Sequence, residues 1–296
     1  MSNPRPKARY NSQIPMRYLH GDAQHIGSRR HQQDFFGFSD PLGEAFQAHG
    51  GFLAVVCDGM GGMEHGDIAS QTAVRTVLDA YARKTPEESI PQALERSAHQ
   101  ANERVYAAAE SLGVAGSAGT TLVAAVLHGT SLYYISVGDS ALFHLSRGRL
   151  RMVNRPHVYA NLLEQAVANG ALSREAAANH PEREALTSFI GVQVLKEVDR
   201  NTEAFLVRDG ETILLATDGM FKTLDPGEML SCLAGDPRSW PAALVKRTLD
   251  KHAEMQDNVT VVAVTLQSGP GTIFDSAVQR HQTVGSRRGF WRRWRS

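Results

Sequence analysis

Five aspartates, Asp34, Asp58, Asp139, Asp218 and Asp257, stand at the edges of apolar runs in a chain of 296 residues. Asp58 closes "FLAVVCD", Asp139 closes "YYISVGD" and Asp218 closes "ILLATD"; Asp34 opens a β-rich stretch in "RRHQQDFFGF", and Asp257 directly precedes "NVTVVAVTL". Four of them adjoin Gly or Asn, where the backbone can turn and the neighbouring side chain is small. An acid at the end of a buried strand carries a solvation cost unless a partner compensates for it. One such aspartate reads as a turn or helix cap, but five point to a shared oxygen-rich pocket. Carboxylates without thiolate or imidazole partners suit hard divalent ions, Mg²⁺ or Mn²⁺, which keep several waters and need few protein ligands. Two such ions roughly 3.5–4 Å apart can share a water and activate it toward an electrophile. The glycines of "DGMGGMEHGDIAS", residues 58–70, then have a use. Without a side chain at Gly59, its carbonyl can reach an ion beside the Asp58 carboxylate. The twelve histidines are scattered with no H-x-x-x-H pair, Cys57 and Cys232 form no metal-type pair, and no phosphate-cradling G-x-x-x-x-G-K-[ST] run occurs.

Positioning these acids requires strands. Short β-rich runs occur at "GFLAVVCD", "TTLVAAVLH", "SLYYISVGD", "ALFHLS", "ETILLATD" and "NVTVVAVTL", each bounded by turn residues. "LSRGRLRMV" and "LVRDGETILL" read as hairpins with tight turns at Gly148 and Gly210. One helix is expected after Gly66, running through Ala82. A second opens at Ser89, carries Pro91 in its first turn and repeats apolar residues at Leu94, Ala98, Ala101, Val105 and Ala108. "YANLLEQAVANGALSREAAANHPEREALTSFIG" reads as two short helices broken at Gly170, the second capped by Ser173. Hairpin-joined strands interrupted by a helix pair predict an α+β fold, with antiparallel sheets and helices packed on their outer faces.

Composition agrees with a soluble globular protein: 42% hydrophobic and 21% charged residues, with no apolar run of membrane-spanning length. The N-terminal stretch "MSNPRPKARYNSQIP" lacks the apolar middle of a secretory signal. Two widely separated cysteines in apolar segments read as buried free thiols in a reducing compartment, so a cytoplasmic location is expected. Net charge is zero, yet residues 276–296 hold six arginines and no acid, which leaves residues 1–275 at −6. The chain divides into a loosely held lead-in at 1–17, a domain at 18–268 and, after the linker-like "QSGPGT", a tail at 269–296. The tail ends in "GSRRGFWRRWRS", whose interleaved arginine and tryptophan suit peripheral contact with an anionic membrane at the inner face. A disordered basic end that aids solubility is the plainer alternative. No specific nucleic-acid partner is implied.

The motifs "RRHQQD", "VVCDGMGGMEHGDIAS", "SAGTTLVAAVL", "ISVGDSALFHL", "LLATDGMF" and "DNVTVVAV", in that order over about residues 18–266, resemble those of the metal-dependent PP2C (PPM) protein phosphatases, bacterial branch. The resemblance implies a four-layer α-β-β-α sandwich of two antiparallel sheets flanked by helices. It also implies removal of phosphate from phosphoserine and phosphothreonine by a water that bridges two metal ions, Mn²⁺ or Mg²⁺. Carried over residue by residue, Asp58 bridges the ions, the Gly59 carbonyl assists, Asp218 and Asp257 complete the second ion's ligands, and Asp34 holds metal-bound water. Arg29 clamps the phosphoryl oxygens, a task suited to a guanidinium fork, and is preferred to the adjacent Arg30. A third ion is implied between Asp139 and Asp218. Residues 155–191 would form a mobile flap beside the site, and the partners would be phosphoproteins, the products of a cognate Ser/Thr kinase. Three departures stand out: Gln32-Gln33 replaces Asn-Glu/Gln, Met60 stands where animal members have a histidine, and "NRPHVYANLL" replaces an Asp-His-Ser stretch. His157 there reads as a packing or capping residue, with assistance to proton transfer as the alternative. The rival reading of the whole chain is a phosphatase-like module that binds phosphoprotein without turnover; it would expect a lost metal aspartate, and none is lost.

Overall fold

The computed structural model describes residues 16–39, 42–61 and 65–269. Its first half contains β1 (Met16–His25), β2 (Asp34–Phe38), α1 (Gly43–Gly50), β3 (Phe52–Gly61), α2 (Gly66–Tyr81), α3 (Ile90–Ser111), β4 (Ala118–Thr120), β5 (Leu122–His128), β6 (Ser131–Val137), β7 (Ala141–Ser146) and β8 (Arg149–Met152). There follow α4 (Tyr159–Ala168), α5 (Arg174–Ala178), β9 (Asp199–Arg200), β10 (Phe205–Leu206), β11 (Thr212–Ala216), α6 (Asp218–Phe221), α7 (Pro226–Ser231), α8 (Trp240–Leu249) and β12 (Val259–Ser268). One sheet has the order β1-β12-β11-β7-β8; the other runs β10-β6-β5-β3-β2, with β4 on β3 and β9 on β6.

Alternation along the strands builds the layers. In β3, Leu53, Val55 and Cys57 point outward onto Ala73, Val77, Leu94 and Ala98 of α2 and α3. Phe52, Ala54 and Val56 point inward, onto Leu142, Ile213, Leu215, Val262 and Val264 of the opposite sheet. The other faces of β11 and β12, through Leu214, Ala216, Val261 and Ala263, pack on Met220, Met229, Leu244 and Val245 of α6, α7 and α8. A strand covered on both faces must be apolar at every position, so "FLAVVC" reads as a continuous run rather than an alternating one. This is the four-layer α-β-β-α sandwich that the motifs imply.

Local signals held where they rest on side chains. Ser89 caps α3 in a capping box with Gln92, and Pro91 lies in its first turn; the Ser173 hydroxyl accepts from the Ala176 amide. The β7–β8 hairpin turns through Arg147 and Gly148, both with positive φ (51° and 71°). Several expectations need correction. "LVRDGETILL" is no hairpin: β10 pairs with β6 in one sheet, while β11 pairs with β7 and β12 in the other. The turn at Gly210 (φ 76°) therefore carries the chain between sheets, after Val207 has entered the core they share. Asp58 does not end its strand, because β3 continues to Gly61 by pairing with β4. Cys57 is buried as expected, whereas Cys232 is only half-buried; both are free. β1 starts at Met16, opposite Ser268, inside the stretch read as a lead-in. The rest of that stretch, and the tail from residue 270, lie outside the described residues. No helix among the described residues is long and apolar enough to cross a membrane.

Candidate active site

Asp34 and Asp58 are direct register partners on β2 and β3. Two like charges opposite each other on neighbouring strands are destabilising, so their surroundings must be fixed by other bonds. The Asp58 amide donates to Thr121 Oγ1 at 2.9 Å, and its carbonyl accepts from the Thr121 amide and the Thr120 hydroxyl, both at 2.8 Å. Asn258 holds the preceding loop: its Nδ2 donates to the carbonyls of Ile26 (2.8 Å) and His31 (3.1 Å), and its Oδ1 accepts from the Gln33 amide at 2.7 Å. The Asp58 loop is gripped by backbone contact. A Cβ on Gly59 would stand 2.0 Å from the Gly66 carbonyl oxygen and 2.6 Å from that of Gln33; one on Gly66 would stand 2.5 Å from Gln33 Nε2. The side-chain space at Gly59 is thus taken by protein, a packing reason for glycine that stands beside the one inferred from sequence.

These elements surround a cavity of about 800 Å³ whose wall includes Arg29, Arg30, Asp58, Gly59, Asp139, Asp218 and Asp257. Asp34 lies behind Asp58, buried, with Oδ2 accepting from Thr217 Oγ1 at 2.9 Å and Oδ1 without a hydrogen-bond partner. Burial pushes the Asp34 carboxyl up to about 7 against the pull of the Thr260 and Thr217 hydroxyls, and the charges of Asp218 and Asp257 add to the rise. Burial first, then the charges of Asp34, Asp218, Asp139 and Asp257, hold Asp58 well above the usual carboxylate range. Asp139 is raised by burial and by Asp218, and lowered by Lys222.

Two basic side chains offset part of this charge. Arg29 Nη2 lies 2.7 Å from Asp257 Oδ2. Lys222 Nζ lies 2.7 Å from Asp218 Oδ2 and 3.2 Å from Asp139 Oδ2. Burial acts to lower the Lys222 ammonium, but the two carboxylates outweigh it and hold it above its usual range. Among the described residues no three or more Asp, Glu, His or Cys side chains are drawn close enough to hold a metal ion by themselves. The raised Asp34 and Asp58 carboxyls and the further acids on the cavity wall mark a place short of positive charge, and an all-oxygen donor set suits hard divalent ions.

The remaining candidates separate clearly. Met60 lines the cavity. His157 is buried beside the Asp139 loop: its Nδ1 accepts from the Gly138 amide at 3.1 Å, and its own amide donates to the Gly138 carbonyl at 2.8 Å. It positions that loop and is absent from the cavity wall, in line with the packing role. Sequence reasoning missed Lys222 and the bracing role of Asn258. Lys222 had a signal, its i, i+4 spacing from Asp218; Asn258 had only its place inside "DNVTVV".

A sandwich of two antiparallel sheets, helices on both outer faces and an acid-lined cavity at the strand ends together define a phosphatase-type hydrolase. The family description "Protein phosphatase 2C" matches residues 22–260, and the chain belongs to this family. Its relatives include the serine/threonine phosphatase stp of Listeria innocua serovar 6a, 32% identical over 225 residues that span 72% of this chain and 83% of the relative. Another is the protein phosphatase PhpP of Streptococcus pneumoniae, 26% identical over 220 residues (72% and 85%). Among solved structures, PppA, described as a key regulatory component of the type VI secretion system (T6SS) in Pseudomonas aeruginosa, superposes with a TM-score of 0.67 at 29% identity, covering 86% of this chain and 98% of that one. The catalytic domain of the phosphatase PstP, solved with 2 manganese ions, shares the fold at a TM-score of 0.67 and 21% identity, covering 86% and 100%.

Proposed function

We propose that this serine/threonine phosphatase works through two divalent ions, Mn²⁺ or Mg²⁺, held by Asp58, Asp218, Asp257 and the Gly59 carbonyl, with Asp34 fixing bound water from behind. The observation that carries the reading is the gathering of Asp58, Asp139, Asp218 and Asp257 on one cavity wall, with Asp34 paired to Asp58 across β2 and β3, a concentration of carboxylates that added positive charge would stabilise. When bound, the ions would supply an activated water and neutralise charge on the phosphoryl group. Arg29 receives the phosphoryl oxygens: its bond to Asp257 uses one nitrogen of the guanidinium and leaves further donors for a bidentate clamp. Arg30, in the same cavity wall, is the second choice. The substrates are phosphoserine and phosphothreonine proteins, the products of a cognate kinase. The non-catalytic binding module is not favoured, since every acid the chemistry needs is present. The test is phosphate release from a phosphothreonine peptide with and without Mn²⁺; no release under either condition overturns the reading.

Arg29→Ala is expected to raise KM for that peptide about tenfold or more, the loss of one or two charged hydrogen bonds. The Arg29–Asp257 pair is substantially exposed, with side-chain accessibilities of 52% and 39%, and such pairs add about 0–1 kcal/mol of stability. The melting temperature should therefore stay put. A silent Arg29→Ala beside an impaired Arg30→Ala would move the clamp to Arg30.

The arginine–tryptophan composition of the tail supports peripheral attachment to anionic membrane. Deleting residues 270–296 should leave peptide hydrolysis unchanged and reduce sedimentation with anionic vesicles at low salt. Unchanged sedimentation excludes the tether, and lost hydrolysis makes the tail part of the catalytic domain.

A further inference from the structure

Lys222 follows α6, one helical turn beyond Asp218, and its ammonium is shared among acids from three separate parts of the chain. Nζ lies 2.7 Å from Asp218 Oδ2 at the start of α6, 3.2 Å from Asp139 Oδ2 just after β6, and 3.8 Å from Glu184 Oε2 in the segment between α5 and β9. Asp139 is the most enclosed of the three, with side-chain accessibility of 10%, so its charge needs a partner close by. A cation shared between Asp139 and Asp218 would have to sit where this ammonium sits, and like charges exclude a divalent ion from the same place. The hydrogen bond from Lys222 goes to Oδ2 of Asp218. The contact to Glu184 lies in the flap, residues 155–191, so the same ammonium ties the flap to the floor of the site.

We propose that Lys222 replaces the third metal ion: its ammonium occupies the position between Asp139 and Asp218, limits the centre to two ions and links the flap to it through Glu184. The inference rests on the two-ion reading above, and counting ions separates the two. Mn²⁺ bound at saturation is measured by equilibrium dialysis with elemental analysis, on the full chain and on Lys222→Met and Lys222→Asp, with folding of each checked by its melting curve.

Wild type should saturate at two ions. Lys222→Asp, which exchanges the ammonium for a carboxylate, should gain a third, and the gain should vanish in Lys222→Asp/Asp139→Asn. Lys222→Met keeps the stem and deletes the charge, and should leave the flap more readily cut by trypsin. Three ions on wild type, or two on Lys222→Asp, would overturn the inference while the two-ion centre stands. Fewer than two on wild type would overturn the centre itself, and with it the role of Lys222.

Discussion

Asp58→Asn should lower turnover of a phosphothreonine peptide about 10³-fold, the equivalent of roughly 4 kcal/mol of lost transition-state stabilisation. An amide keeps the shape of the carboxylate but is an uncharged and weaker ligand. The same change removes one of two like charges facing each other across β2 and β3 and one of the carboxyls raised by burial and mutual repulsion. The variant should consequently melt at or above wild type in EDTA while being nearly inactive in Mn²⁺. This inverse relation marks a charge kept for chemistry at the expense of stability. Asp218→Asn should be similarly inactive, and it also weakens the anchor of Lys222. Turnover above a tenth of wild type in Asp58→Asn would remove this aspartate from the centre.

Removing divalent ions should abolish turnover, with Mn²⁺ restoring it, and should make stability depend on pH in a defined direction. Asp34 titrates at about 7 in the folded protein and near 3.9 unfolded. Between those values the folded state holds the extra proton, so stability falls as pH rises. In EDTA the melting temperature should drop from about pH 5 to pH 7, a loss on the order of a few kcal/mol at most. Asp34→Asn, lacking one titrating group, should lessen the trend without abolishing it, because Asp58 and Asp139 are raised as well, and saturating Mn²⁺ should flatten it. Glu228, held down to about 2 by Lys251 and its other partners, works at lower pH and does not confuse this window. An EDTA melting temperature that is level or rising over this range, or full activity without metal, would sink the account of the site.

The sequence alone determined the two-sheet architecture and picked out the acids that the structure brings around one cavity, because both are written in local patterns. Doubly covered strands read as unbroken apolar runs, caps announce themselves through Ser89 and Ser173, and an acid at the edge of such a run is conspicuous. What only the tertiary structure decided depends on which strand meets which. No local signal distinguishes a turn that closes a hairpin from one that changes sheets, so Gly210 was misread. Nor does the sequence reveal that Asp34 and Asp58 are exact neighbours across a ladder, since register follows from pairing between segments 24 residues apart. The need for glycine at positions 59 and 66 arises from their meeting in space. Lys222 is the sharpest case. Along the chain only its i, i+4 spacing from Asp218 marks it, and the convergence of β6, α6 and the flap is what surrounds its ammonium with three carboxylates.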